Sequence, residues 1–202
     1  MAKKNHELDD KIIQSAKTEF LKHGFDKASL HEIARNAHTT TGAIYTRYKG
    51  KDDLFASLVQ EVLDAYKEMA PIMHQKYMEV QKSHNVESLM QIIHEEFHMY
   101  QRLLSEHYEA CLLFYCRNQS SQMEKLVKDM MDQKIESTVA FFKSMSDTEL
   151  DLDGIGILLL EQFNFFKEVL ERGYDANKTI RCMEIVEMYQ EAGWKKIFET
   201  IL

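Results

Sequence analysis

The chain is short of the residues that interrupt helices. One proline and seven glycines in 202 residues leave little punctuation for β-hairpins, whose tight turns depend on such residues. Leu, Met, Glu, Lys and Ala are plentiful, so propensity and periodicity both favour an all-α chain. The three cysteines, Cys111, Cys116 and Cys182, are an odd number without CxxC spacing. That argues against a disulfide framework and a cysteine zinc site, and points to reduced thiols in a cytosolic protein. Cys111 and Cys116 stand five apart, off a common helical stripe, which argues against a paired thiol sensor. No apolar run is long enough to span a membrane and the amino end lacks a signal-type apolar stretch, so a soluble, cytoplasmic protein is expected. What is present, 45% hydrophobic and 29% charged residues, is a globular composition with enough length for a sizeable core.

The net charge of −8 is unevenly divided. Residues 1–50 hold nine Lys/Arg against six acids, a net of +3, and the remainder carries −11. A basic amino-terminal module on an acidic body would show this asymmetry.

Residues 29–51, SLHEIARNAHTTTGAIYTRYKGK, read as two short helices joined by a tight turn. Ser29 and Glu32 have capping-box spacing, and Leu30, Ile33, Ala34 and Ala37 define one buried face. The chain must reverse near Ala37-His38-Thr39, because Thr40 is a good N-cap for a second helix from Thr41 to about Tyr48. In that helix Ile44 and Tyr48 look inward. Thr40, Thr41, Ala43, Tyr45, Thr46 and Arg47 are left outside. A small, hydroxylated, aromatic and basic outer face suits the major groove, which needs hydrogen-bonding groups without bulk.

The first fifty residues resemble the DNA-binding domain of the tetracycline-repressor (TetR) family. The resemblance is carried by Phe20, Gly24-Phe25, Ser29, Ile33-Ala34, Ala37, Gly42, Ile44-Tyr45, Tyr48 and Lys51, followed by Asp52, Asp53, Leu54 and Phe55. Two positions depart from the pattern: His38 stands where the family usually has Gly, and Thr39 where it has an aliphatic residue. Histidine is among the non-glycine types that tolerate a left-handed backbone. DNA contacts are expected from Ser29, Thr40, Thr41, Gly42, Ala43, Tyr45, Thr46, Arg47, Tyr48 and Lys51. Thr40, Tyr45, Tyr48 and Lys51 are expected on phosphates, with Thr41, Gly42, Ala43 and Thr46 at base edges and Arg47 in either role. An arm carrying Lys3 and Lys4 could add phosphate or minor-groove contacts.

Helix one is expected from Leu8 to His23, stopped by Gly24. Helix four should run from Lys51 to Ala70 with Pro71 at the next junction, and the domain boundary is placed between residues 50 and 51. Residues 51–202 then form a helical effector-binding and dimerisation domain with helices near 72–82, 86–104, 106–117, 120–145, 150–172 and 177–201. Ser146 and Glu149 have capping-box spacing. The last two helices are apolar on more than one face, which pairing about a two-fold axis would cover. The resemblance implies the same. Leu159, Phe163, Phe166, Leu170, Met183, Val186, Trp194 and Ile197 are the expected dimer contacts. His94, Phe97, His98, Gln101, Tyr108, Cys111, Tyr115, Met123, Met130, Phe163 and Phe166 are candidates to line an effector cavity, since Met and aromatic side chains make adaptable apolar walls.

His94-Glu95-Glu96-Phe97-His98 is also a literal HExxH string, the zinc-protease spacing. Such an enzyme needs a third ligand and a cleft, and the amino-terminal module argues against one. No catalytic residue, metal or cofactor is expected. The reading is therefore a homodimeric, ligand-responsive transcriptional regulator, expected to be a repressor that binds a palindromic DNA operator and is released by a mainly hydrophobic effector. The alternative is a helical dimeric ligand-binding or scaffold protein without DNA binding.

Overall fold

A computed structural model of the protein describes residues 6–83, 85–119, 121–145 and 152–201. Among the described residues there are ten helices and no strand. They are α1 (His6–Lys27), α2 (Leu30–Asn36), α3 (Thr41–Tyr45), α4 (Lys51–Leu58), α5 (Gln60–Ser83), α6 (Val86–Glu106), α7 (Tyr108–Cys116), α8 (Gln122–Met145), α9 (Leu152–Glu171) and α10 (Ala176–Ile201). The all-helical expectation holds. Lys3, Lys4, Ser146 and Glu149 lie outside the described residues.

Packing divides the chain into Met1–Leu63 with Glu109–Val127, and Asp64–Tyr108 with Lys128–Leu202. The expected boundary between residues 50 and 51 does not coincide with this division. The first unit keeps α4 and recruits a second segment because backbone groups tie them: Phe25 N–H donates to the Arg117 carbonyl (2.8 Å), and Gln122 N–H donates to Asp52 Oδ1 (2.8 Å). Arg117 Nε returns a bond to the Leu21 carbonyl (3.2 Å).

The core of this unit is aromatic. Phe20 and Phe55 meet edge to face at 5.0 Å, Phe25 joins Phe55 at 5.4 Å, and Lys51 Nζ lies 4.7 Å from the Phe25 ring centre. Gly24 makes this possible. Its φ of 71° and ψ of 170° break the helical path inside α1, a conformation open to glycine and costly for residues with a Cβ. The helix therefore bends at Gly24 and resumes to Lys27, carrying Phe25 inward, where a simple stop was expected.

One helix was expected from Lys51 to Ala70. Instead it breaks at Val59 (φ −110°, ψ 7°), between α4 and α5. Pro71, expected at a junction, sits inside α5. It is exposed, so the carbonyl deprived of a donor can take water.

In the second unit, Met73, Val80, Leu89, Ile92, Phe142, Met145, Ile155, Leu159, Trp194 and Phe198 form one buried cluster. Its centre is a parallel stack of Phe142, Trp194 and Phe198, with ring centres 5.1–6.0 Å apart. No described helix is long and apolar enough to cross a membrane.

Candidate nucleic-acid interface

The α2–α3 turn shows how the head presents its outer helix. Ser29 caps α2 by accepting from Glu32 N–H at 3.4 Å. The return bond of the expected capping box is absent, because Ser29 N–H donates to Glu19 Oε1 at 3.1 Å. Glu32 instead pairs with Arg35. Glu19 is buried and welds α1 to the start of α2, a role nothing in its local sequence announces.

At the other end of α2, His38 adopts φ 54°. His38 N–H donates to Arg35 O (3.1 Å) and Thr39 N–H to Ala34 O (2.9 Å), the paired bonds of a Schellman motif whose left-handed position usually holds glycine. Histidine thus fills the turn in the left-handed form that the departure from the family pattern required.

Thr40 caps α3 through Ala43 N–H (3.2 Å). Ile44 is wholly buried and anchors the helix, while Tyr45 beside it is 59% exposed. Thr40, Gly42 and Thr46 are also exposed, and Thr41, Ala43 and Tyr48 are half-buried. The Thr46 hydroxyl donates to the Gly42 carbonyl (2.8 Å), which leaves its oxygen lone pairs free to accept. Gly42 has no neighbour closer to a built Cβ than the Thr40 hydroxyl at 3.7 Å, so its role is a flat, open helix face.

Further expected contacts are otherwise engaged. Ser29 is half-buried with its oxygen on the α2 cap. Arg47 pairs through Nε with Asp9 and donates through Nη1 to the Ala43 carbonyl (3.0 Å), so it holds α1 against α3. Lys51 Nζ donates to the Asp26 carbonyl at 3.0 Å above the Phe25 ring. Such pinned cations are preorganised for a phosphate only at that fixed place.

The second unit contains a small, half-open cleft with room of about 40 Å³ for water-sized groups. Leu89, Phe142, Leu159, Trp194 and Phe198 give it apolar walls, and Glu96 and Lys134 place an ion pair in its lining. Tyr77 and Tyr100 each donate to a different Glu96 oxygen at 3.1 Å. Burial acts to raise the Glu96 carboxyl, but the Lys134 ammonium and bonds from Lys134, Tyr77 and Tyr100 outweigh it and hold it below its ordinary value. Burial pushes both phenols well above theirs, reinforced by the neighbouring carboxylate. The site is therefore a charged pair with two neutral donors beneath an aromatic stack.

None of the effector candidates read from sequence lines this cavity. Phe97 and Phe166 are buried against each other at 6.1 Å between ring centres, and Phe163 and Met130 are half-buried. Tyr108 donates to the Tyr174 carbonyl. Cys111, Tyr115 and Met123 are buried in the first unit. Burial, with Cys116 nearby, pushes the Cys111 thiol up to about 12, so it stays protonated. His94, His98 and Gln101 do come together, on α6. Glu95 of the HExxH string does not join them; it pairs with Lys76 and accepts from Gln91. The cavity was missed because its walls come from α5, α6, α8, α9 and α10, with no local signature.

The expected dimer contacts are placed similarly. Leu159, Phe166, Leu170, Met183 and Trp194 are buried within the protomer, and Phe163, Val186 and Ile197 are half-buried. The apolar side chains that α9 and α10 leave in solvent are others: Ile157, Leu158 and Leu160, and Ile185, Met188 and Tyr189.

Residues 12–58 match the model of the bacterial regulatory proteins, tetR family. Over the whole length the fold is similar to a TetR-like transcriptional regulator from Rhodococcus sp. RHA1, with TM-score 0.53 and 19% identity over 92% of this chain and 96% of that one. It is also similar to NalD, the secondary repressor of the MexAB-OprM multidrug efflux pump in Pseudomonas aeruginosa, with TM-score 0.50 and 17% identity over 92% of this chain and 97% of that one. Residues 12–58 therefore form an amino-terminal helix-turn-helix head of the tetR-family type, carried on a helical fold similar to that of TetR-like regulators.

Proposed function

We propose that the protein is a homodimeric repressor that grips a palindromic duplex through α3 and lets go when a small amphipathic effector enters the Glu96–Lys134 cavity. The observation that carries the DNA reading is the division of α3 itself, with Ile44 fully buried and Tyr45 and its threonine neighbours facing solvent. Tyr45 reaches a phosphate, and Thr41, Gly42, Ala43 and Thr46 meet base edges. Two such heads read half-sites whose centres lie about 34–36 Å apart. A binding chemistry of apolar walls around one ion pair suits an effector with an apolar body and one polar or charged group. Such a molecule acts by binding the DNA-incompetent arrangement more tightly than the competent one. The function is recognition, with no catalytic step.

Selection from a random duplex pool tests this reading. The full chain should retain a palindromic sequence, and Tyr45→Ala should weaken binding to that sequence and its variants alike by about tenfold, one hydrogen bond's worth. Retention of no duplex would sink the DNA reading and favour a ligand-binding scaffold.

The dimer is supported by the exposed stripe Ile185, Met188 and Tyr189 on α10, where Tyr189 is 81% exposed. These positions are three and four apart, so they share one helix face. Ile185→Glu should give a folded monomer by light scattering, since the side chain fills no internal space, and should weaken operator binding. An unchanged dimer would remove α10 from the interface.

A further inference from the structure

Outside the cavity and the head, one cluster has ligand chemistry without an assigned ligand. His94 and His98, one turn apart on α6, face Glu187 of α10. Glu187 Oε1 lies 2.8 Å from His94 Nδ1 and 3.8 Å from His98 Nε2, and one ligand atom from each residue fits within 4.8 Å. Ligands held at 2.0–2.2 Å around a tetrahedral zinc ion stand about 3.3 Å apart. The distances found straddle that spacing, and closing on an ion needs only small rotations of two surface histidines.

Gln101 Oε1 lies 2.8 Å from His98 Nδ1, and the tautomer that donates to it leaves His98 Nε2 as a lone pair. In that tautomer His94 Nε2, 3.0 Å from it, is the donor between the rings. This leaves His94 Nδ1 as a second lone pair, directed at an anionic carboxylate. Glu187 Oε1 is buried and accepts no hydrogen bond, despite that close approach. In that arrangement two ring lone pairs and a buried carboxylate oxygen converge, a donor set that a cation can fill.

We infer that His94 Nδ1, His98 Nε2 and Glu187 Oε1 form a divalent transition-metal site of the zinc class, clamping α6 to α10. Two imidazoles and one carboxylate are a borderline donor set that suits zinc, cobalt or nickel over magnesium or calcium. Gln101 acts behind it, fixing the His98 tautomer as metal-bound histidines require. The histidine side chains are 47% and 48% exposed and that of Glu187 only 14%, so the ion has a solvent-facing position for water and a buried anion behind it. The third ligand that the HExxH string lacked is thus supplied from α10, and because Glu95 points to Lys76, the site binds without the hydrolytic base.

The test uses untagged, chelator-treated full-length protein and zinc or cobalt ions alone. One equivalent of zinc should bind and raise the melting temperature. Cobalt should give visible ligand-field bands without a thiolate charge-transfer band, since no cysteine takes part. Gln101→Leu should weaken zinc by about tenfold, and His98→Ala or Glu187→Gln by about 100-fold or more, the range set by loss of supporting partners. The histidines are half-exposed, so alanine there opens no core. Failure to bind one equivalent at micromolar zinc means that the cation there is a proton on His94, and overturns the site. Equal affinity in Glu187→Gln would overturn it too, leaving two histidines with adventitious metal. Neither readout involves DNA, so the site stands or falls apart from the repressor reading.

Discussion

Phe55→Ala should abolish DNA binding by unfolding the head. Phe55 is fully buried and touches Phe20 and Phe25 edge to face. Truncating a buried Phe to Ala costs about 3–5 kcal/mol through lost transfer energy and the cavity left behind. The unit it centres spans roughly 80 residues, for which a stability of about 4–12 kcal/mol is typical. The loss is thus comparable with the lower part of that range. The neighbours cannot close the gap, because Phe20 is held by α1 and Phe25 is fixed by its backbone bond to Arg117. Amide exchange should show the protection of α1 to α4 collapsing while the Phe142–Trp194–Phe198 stack of the second unit keeps its near-ultraviolet signal. Phe55→Leu leaves a smaller gap and should cost about half as much as the alanine change, so binding survives at moderate temperature. If the alanine variant retains full exchange protection in α1 to α4, the aromatic cluster is not the keystone of the head.

That cluster was legible from sequence, and the reason shows what was not. Phe20, Phe25 and Phe55 lie in a stretch whose buried positions repeat locally, and Ile44 and Thr40 mark α3 by spacing and capping chemistry alone. The left-handed turn at His38 was legible too, because the backbone there has few alternatives. Bonds that cross between distant segments left no such trace. Glu19, ten positions away in sequence, takes the Ser29 N–H that the expected box gave to Glu32, and Glu32 pairs with Arg35. Glu187 completes a cluster whose other members sit on α6. The faces of α9 and α10 failed for a related reason: a helix apolar nearly all round gives periodicity no preferred side. Only packing shows that Met183 and Trp194 turn inward and Ile185 and Tyr189 outward.

Glu96→Gln should destabilise the second unit by about 3 kcal/mol at neutral pH, near the lower end for breaking one partner of a buried ion pair. The reduction reflects Lys134, whose side chain keeps a third of its surface in water and can partly rehydrate. The amide preserves shape, and the Tyr77 and Tyr100 hydroxyls can rotate to meet it, so the loss reports charge and not packing. Adding Lys134→Met should restore most of the stability, because two charges removed together leave neither one uncompensated. The pH dependence carries the sign. The folded protein holds the Glu96 carboxyl below its ordinary 4.5, so the stabilisation is present above that value and is lost as pH falls through the lowered one. Denaturant melts of the native protein and of Glu96→Gln should therefore differ most near neutrality and converge at acid pH. A difference that stays constant from neutral pH down to pH values on the order of 3, below the ordinary carboxyl value, would show that Glu96 works by shape alone. In that case the cavity floor offers an effector no anion, and the polar end of the ligand must be sought against the Lys134 ammonium.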